Sequence, residues 1–322
     1  MNRFLFALGA GLTACAVAGE APPERPVPGA GPRVSVRPSA SPARIEPPAP
    51  LAPPAAPSRE TYDLGADLRE RAVLAREELG PKTESEIVEG VFLLSSPGGK
   101  AALRSPLDVT ERALSALFNR RFDKRPERAI SVHLFPDASR YDAYCRRRWK
   151  TKCDSPYGFY LGQERKIVMN LGPGIGTLTH ELVHPLVEAD FPNAPEWLNE
   201  GIASLFEQFQ LPRSGEIHGG KNWRHPRLIV ALARPSEQAN ASLPALFALS
   251  DEDFRGTKED LNYAIARYFC QWLDQRGLLW SFYRRYRDTQ ATDRTGEVAF
   301  REVTGETLEV ASPTWRRWVR NL

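Results

Sequence analysis

His180-Glu181-Leu182-Val183-His184, followed downstream by Trp197-Leu198-Asn199-Glu200-Gly201, is the stretch that decides how this chain is read. Residues four apart project from one face of an α-helix. Two imidazoles so placed can grip a single metal ion, with Glu181 beside them to handle a proton. His-Glu-x-x-His on a helix is the pattern of zinc hydrolases. Glu200 lies sixteen positions after His184, where a second helix brings a third ligand and leaves a fourth position open to water. The bland alternative is a surface helix that carries two histidines by accident. The chain has only five histidines, and the partner at Glu200 weakens that alternative further.

Around this pair, Gly172-Pro173-Gly174-Ile175-Gly176 reads as a loop leading into the first helix, with Thr177 or a neighbour as its cap. Pro185 lacks an N–H and is expected to kink the helix just past His184. The second helix is predicted to begin near Pro195, with Leu198, Ile202, Leu205, Phe206 and Phe209 as its apolar stripe. That helix would put Glu200 and Glu207 two turns apart on one face. From there the chain reads as largely helical to Leu322, most clearly over 261–272 and 278–286. Upstream, helices are predicted over 59–79, 106–121 and 138–149. Strands are predicted over 88–95 and 129–135, and a hairpin pairs 158–161 with 166–171 through Gln163-Glu164-Arg165. Strands alternating with helices argue for a sheet packed by helices.

The chain has 322 residues, of which 42% are hydrophobic. That suffices for one large domain or two small ones. Its 43 basic and 40 acidic residues leave a net charge of +3, so no nucleic-acid partner is expected. Arg146-Arg147-Arg148-Trp149-Lys150 reads as a solvated face. Cys145 and Cys153 are eight apart and can close a small loop disulfide in an oxidising compartment. Cys270 reads as a buried thiol. No Cys-x-x-Cys spacing occurs.

The N-terminus carries an address. Met1-Asn2-Arg3 is basic, and the apolar stretch Phe4 to Ala14 is too short to span a membrane as a mature anchor, so residues 1–14 read as a signal peptide. Leu12-Thr13-Ala14-Cys15 resembles a bacterial lipobox, with lipidation at Cys15 tethering the mature protein. The rival is cleavage after Ala16-Val17-Ala18, which releases a secreted protein. Either way the protein is expected outside the cytoplasm. Ala16 after the cysteine, by resemblance to sorted lipoproteins, favours the outer membrane or the periplasmic face. Residues 15–58 then comprise the anchor and a Pro/Ala-rich spacer unable to bury enough surface to fold. Residues 59–322 form the folded domain.

Trp197-Leu198-Asn199-Glu200-Gly201-Ile202-Ala203 after the His-Glu-x-x-His resembles the gluzincin metallopeptidases. It is similar both to aminopeptidases of the WLNEGFA type and to the smaller peptidase-MA-like bacterial domains, over residues 88–322. The resemblance implies an α+β, thermolysin-like zincin fold, with an N-terminal mixed sheet, a mostly helical C-terminal part and an active-site cleft between them. It implies one Zn²⁺ held by His180, His184 and Glu200, with Glu181 as general base. Glu207 then matches an acid that hydrogen-bonds a metal-bound imidazole. Tyr263, in Asn262-Tyr263-Ala264, matches an oxyanion-steadying tyrosine, with Tyr268 as the alternative and a plain structural role equally open.

Two departures matter. No acid precedes the asparagine in Met169-Asn170, where the aminopeptidases hold a substrate's free amine. The gap from His184 to Glu200 is also shorter than theirs. Both favour a peptidase-MA-like endopeptidase. His133 reads as core or rim, and His218 and His225 are outside candidates for an extra ligand. The expected protein is a monomeric, membrane-tethered zinc metallopeptidase of the cell envelope, acting on a peptide or protein substrate. The alternatives are an inactive zincin-fold envelope scaffold and a zinc amidase that cuts a non-peptide cell-wall bond.

Overall fold

The sheet is laid down by alternating apolar residues that pack helices on both of its faces. The computed structural model describes residues 62–153 and 155–322, all within the unit Glu60–Leu322. The signal peptide, Cys15, the Ala16-Val17-Ala18 site and the spacer lie outside the described residues. Asp63 caps α1 (Leu64–Leu79), its carboxylate accepting from the Ala66 N–H.

β1 (Glu84–Val88) and β2 (Phe92–Ser96) form an antiparallel hairpin. This corrects the single strand expected over 88–95. Glu89 and Gly90 both take positive φ, 50° and 74°, which turns the chain back within that run. α2 (Gly99–Phe118) starts well before the expected Pro106, which is buried inside it. Pro106 offers no N–H to the Ala102 carbonyl, but the packing of Leu103, Thr110, Ala113, Leu114 and Leu117 carries the helix through. β3 (Ile130–Phe135), α3 (Ala138–Trp149), β4 (Gly158–Leu161) and β5 (Lys166–Asn170) follow.

The five strands lie in the order β1-β2-β3-β5-β4. β2, β3 and β5 run parallel, and the two edge strands are antiparallel to their neighbours. Successive side chains leave opposite faces. Phe92, Leu94, Val132, Leu134, Ile167 and Met169 join the main core. Phe135 and Val168 pack with Tyr141 and Tyr144 of α3 on the other side. A disulfide joins Cys145 to Cys153, with Cα atoms 5.4 Å apart.

The rest is mostly helical. α4 (Gly176–Asp190) and α5 (Glu196–Leu205) carry the decisive motif. A short antiparallel pair, β6 (Phe209–Gln210) with β7 (His218–Gly219), interrupts the helices. Then come α6 (His225–Ala233), α7 (Pro235–Gln238), α8 (Leu243–Phe247), α9 (Asp251–Phe254), α10 (Glu259–Gln275), α11 (Leu279–Thr289), α12 (Glu297–Thr304) and α13 (Leu308–Asn321). The whole is a mixed α/β fold with a five-stranded mixed sheet. Among the described residues, no helix is long and apolar enough to cross a membrane.

Candidate metal centre

α4 brings the motif to the floor of a cleft of about 1110 Å³. Its entry differs from expectation. Ile175 holds the cap position without a side-chain bond, and Thr177 lies inside the helix with its hydroxyl buried and unbonded. Gly176 answers to packing instead, because a side chain there would collide with the Glu207 carbonyl. Pro185 is accommodated within the helix, which runs on to Asp190.

One ligand atom from each of His180, Glu181 and His184 lies within 4.8 Å of the other two. The group is positioned to bind a metal ion. Glu200, on α5, adjoins it. Its Oε2 is 3.3 Å from His180 Nε2 and its Oε1 is 4.0 Å from His184 Nε2. Glu200 is buried, yet its Oε2 has no hydrogen-bond donor. An unpaired buried carboxylate oxygen is costly. Here it shares its space with two imidazole nitrogens, which is the environment a bound cation satisfies. The donor set, two imidazoles and a carboxylate, is one that can hold a divalent metal ion.

A polar side chain stands behind each imidazole. His184 Nδ1 donates to Asn199 Oδ1 at 3.0 Å, which leaves Nε2 a lone pair facing the cleft. His180 Nδ1 lies 3.5 Å from Glu207 Oε1. Glu207 does not sit on α5 as expected. The helix ends at Leu205, and Glu207 follows in the turn before β6. Its carboxylate is fixed by Arg224, which donates at 2.8 and 3.1 Å, and by Asn222 at 2.7 Å.

Charge in the site follows from burial and neighbours. Burial disfavours the His180 cation, but the close approach of the Glu200 carboxylate and the charges of Glu181 and Glu207 outweigh it and lift the pKa to about 9. Burial, aided by Glu200 and Glu207, pushes Glu181 up against the pull of the two imidazoles. Burial also opposes ionisation of Glu200, yet His184, His180 and Arg255 hold its carboxyl well below the usual range.

Arg255, just past α9, had no sequence signal. It donates to Glu200 Oε1 at 2.5 Å, to Glu196 Oε1 at 2.7 Å and to the Tyr263 hydroxyl. Tyr263 lines the cleft, its ring flanked by the guanidinium groups of Arg224 and Arg255 at 4.5 and 5.3 Å. Tyr268 is buried, and its hydroxyl accepts from the Asn222 N–H, so of the two tyrosines only Tyr263 faces the site. His133, His218 and His225 do not line the cleft. His218 is exposed, and His225 Nε2 pairs with the Val319 carbonyl at 2.8 Å.

Fold and site together define a mixed α/β protein with a His-Glu-His group, buried at His180 and Glu181 and half-buried at His184, able to hold a metal. The sequence matches no protein-family model and no curated protein.

Proposed function

We propose that this chain is a zinc-dependent metallopeptidase with a thermolysin-like, gluzincin-type fold, acting as an endopeptidase in the cell envelope. The observation that carries the reading is the unpaired Glu200 Oε2 beside His180 and His184, with Glu181 within reach. The antiparallel edge strand β4 supports it, because Gly158, Phe159 and Tyr160 border the cleft. An extended peptide can pair with that edge through main-chain hydrogen bonds. Tethering through a lipidated Cys15 completes the reading.

His180, His184 and Glu200 would hold the ion, and zinc in that position supplies Lewis acidity toward the scissile carbonyl. Asn199 keeps the His184 imidazole aimed, and the Glu207 carboxylate stands 3.5 Å behind His180 Nδ1. Glu181 accepts a proton from the attacking water as its oxygen bonds to the carbonyl carbon. The same carboxyl then delivers that proton to the departing amine as the C–N bond breaks. Burial raises the Glu181 pKa, which suits both halves of this shuttle. Tyr263 is kept neutral by burial and by Glu200, so its hydroxyl can donate to a developing oxyanion. An intact base has no purpose in a pure scaffold, which favours the hydrolytic reading.

The test combines metal analysis with one substitution. The purified protein should carry about one zinc per chain and digest a peptide library. Glu181→Gln should retain the zinc and lose at least about a hundredfold in turnover. Undiminished activity in that variant would remove the mechanism.

A further inference from the structure

The charged side chains that line the cleft are almost all committed to one another. Arg224 is bound to Glu207, and Arg255 to Glu196 and Glu200. Glu181 lies beside His184. Glu188 is the exception. It sits one turn beyond His184 on α4, exposed and lining the cleft, and has no ionic partner among the described residues. Its Oε2 accepts only from the Tyr160 hydroxyl, at 2.7 Å. That bond joins α4 to the edge strand β4, and the Tyr160 ring in turn stacks over His184. The carboxylate is therefore aimed rather than floating. Gly162, after β4, lies against it, and a Cβ there would already be in ordinary contact with Oε2 at 3.5 Å, so a side chain at 162 would crowd the carboxylate. Exposed Pro192 and half-buried Ala194 add apolar surface to the same cleft.

A fixed carboxylate beside apolar walls fits a long aliphatic stem that ends in a cation. We propose that Glu188, held by Tyr160, forms a subsite for a lysine or arginine side chain of the peptide substrate. The inference rests on the peptidase reading given above and names the substrate class for that cleft. Glu188 is a specificity residue. It takes no part in proton transfer.

Binding tests it apart from turnover. The probes are N-acetylated peptides that differ at one internal position, lysine, norleucine or glutamate, so no free terminal amine contributes. The protein is the full-length, zinc-loaded Glu181→Gln chain. The lysine peptide should bind about tenfold more tightly than the norleucine peptide. Adding Glu188→Gln, which can still accept from Tyr160, should erase that difference and leave the norleucine affinity unchanged. Adding Glu188→Lys instead should turn the preference toward glutamate. Equal binding of lysine and norleucine peptides in the parent, no binding of any probe, or a preference that survives Glu188→Gln would each overturn the proposal. If the wild-type chain cleaves nothing but the charge preference holds, the hydrolase reading fails and this subsite stands. Cleavage indifferent to basic residues would do the reverse.

Discussion

Asn199 decides which nitrogen of His184 faces the cleft. Its side-chain oxygen accepts a hydrogen bond from Nδ1–H, and an imidazole so fixed can offer only Nε2 to a metal. Loss of such a partner usually costs ten- to a hundredfold in metal affinity. Asn199→Ala should therefore weaken zinc binding by roughly that factor in competition with a chelator, while Asn199→Asp, which keeps an acceptor, should hold affinity near the parent. Equal affinity in the alanine variant would show that the ring is oriented by packing alone. His180, Glu181, His184 and Glu200 were legible in the sequence because helical spacing and segment order are local properties. Arg255 was not. It reaches Glu200 across 55 positions of chain, and nothing in its neighbourhood marks an arginine that will neutralise a buried carboxylate. Asn199 was printed in the motif, but its role depends on how α5 crosses α4, which spacing alone does not give.

α5 can place Glu200 only because Gly201 lets α10 come close. A Cβ at 201 would meet Cys270 Sγ at 2.9 Å and the Ala266 carbonyl at 3.0 Å. Gly201→Ala gains about 1 kcal/mol of helix propensity, but forcing atoms into a filled contact costs about 1–3 kcal/mol. Here the obstacle is partly backbone, which cannot swing aside, so the clash should win. The variant should lose about 1 kcal/mol in urea denaturation, and zinc affinity should fall with it as Glu200 is displaced. A raised midpoint would mean the two helices have slack. The same scale shows where periodicity misleads. The run 88–95 is apolar enough for one strand, yet Glu89 and Gly90 make it a hairpin, and a Glu-Gly pair is a weak turn signal beside Asn-Gly. The helix is expected to begin at Pro106 because the clear three- and four-residue apolar period starts at Leu107. Buried packing on both sides of it overrode that local pattern. Glu207 read as helical from spacing, whereas α5 stops at Leu205 and a turn delivers the carboxylate to His180.

The sheet divides the molecule into two unlike halves. One face carries the main core and the cleft. The other carries α1 and α3 over a polar network in which Lys166 donates to Glu78 at 3.0 Å, Tyr144 donates to Glu78 at 2.9 Å, and His133 Nδ1 lies 3.6 Å from Glu78. His133 is buried on β3 with that nitrogen unbonded. Burial, with Lys166 and Arg71 adding to it against the pull of Glu78, drives its pKa down to about 3. An unfolded chain would titrate it near about 6.5. Between those values the unfolded state holds a proton that the folded state refuses, so stability rises with pH across the window and is lost as pH falls from about 6.5 toward 3. This one group can contribute up to about 1.4 kcal/mol per pH unit. Comparison with a His133 variant between about pH 6.5 and 5 isolates the histidine, because every other titrating group is common to both chains. Urea denaturation of the wild type should therefore show stability falling over that interval, and His133→Gln, neutral throughout, should flatten the slope by close to one proton. The variant should also be somewhat less stable at pH 7, because it loses the edge contact of the imidazole with Tyr144. An unchanged slope would place the acid sensitivity of the molecule elsewhere, in the carboxylates of the cleft on the opposite face.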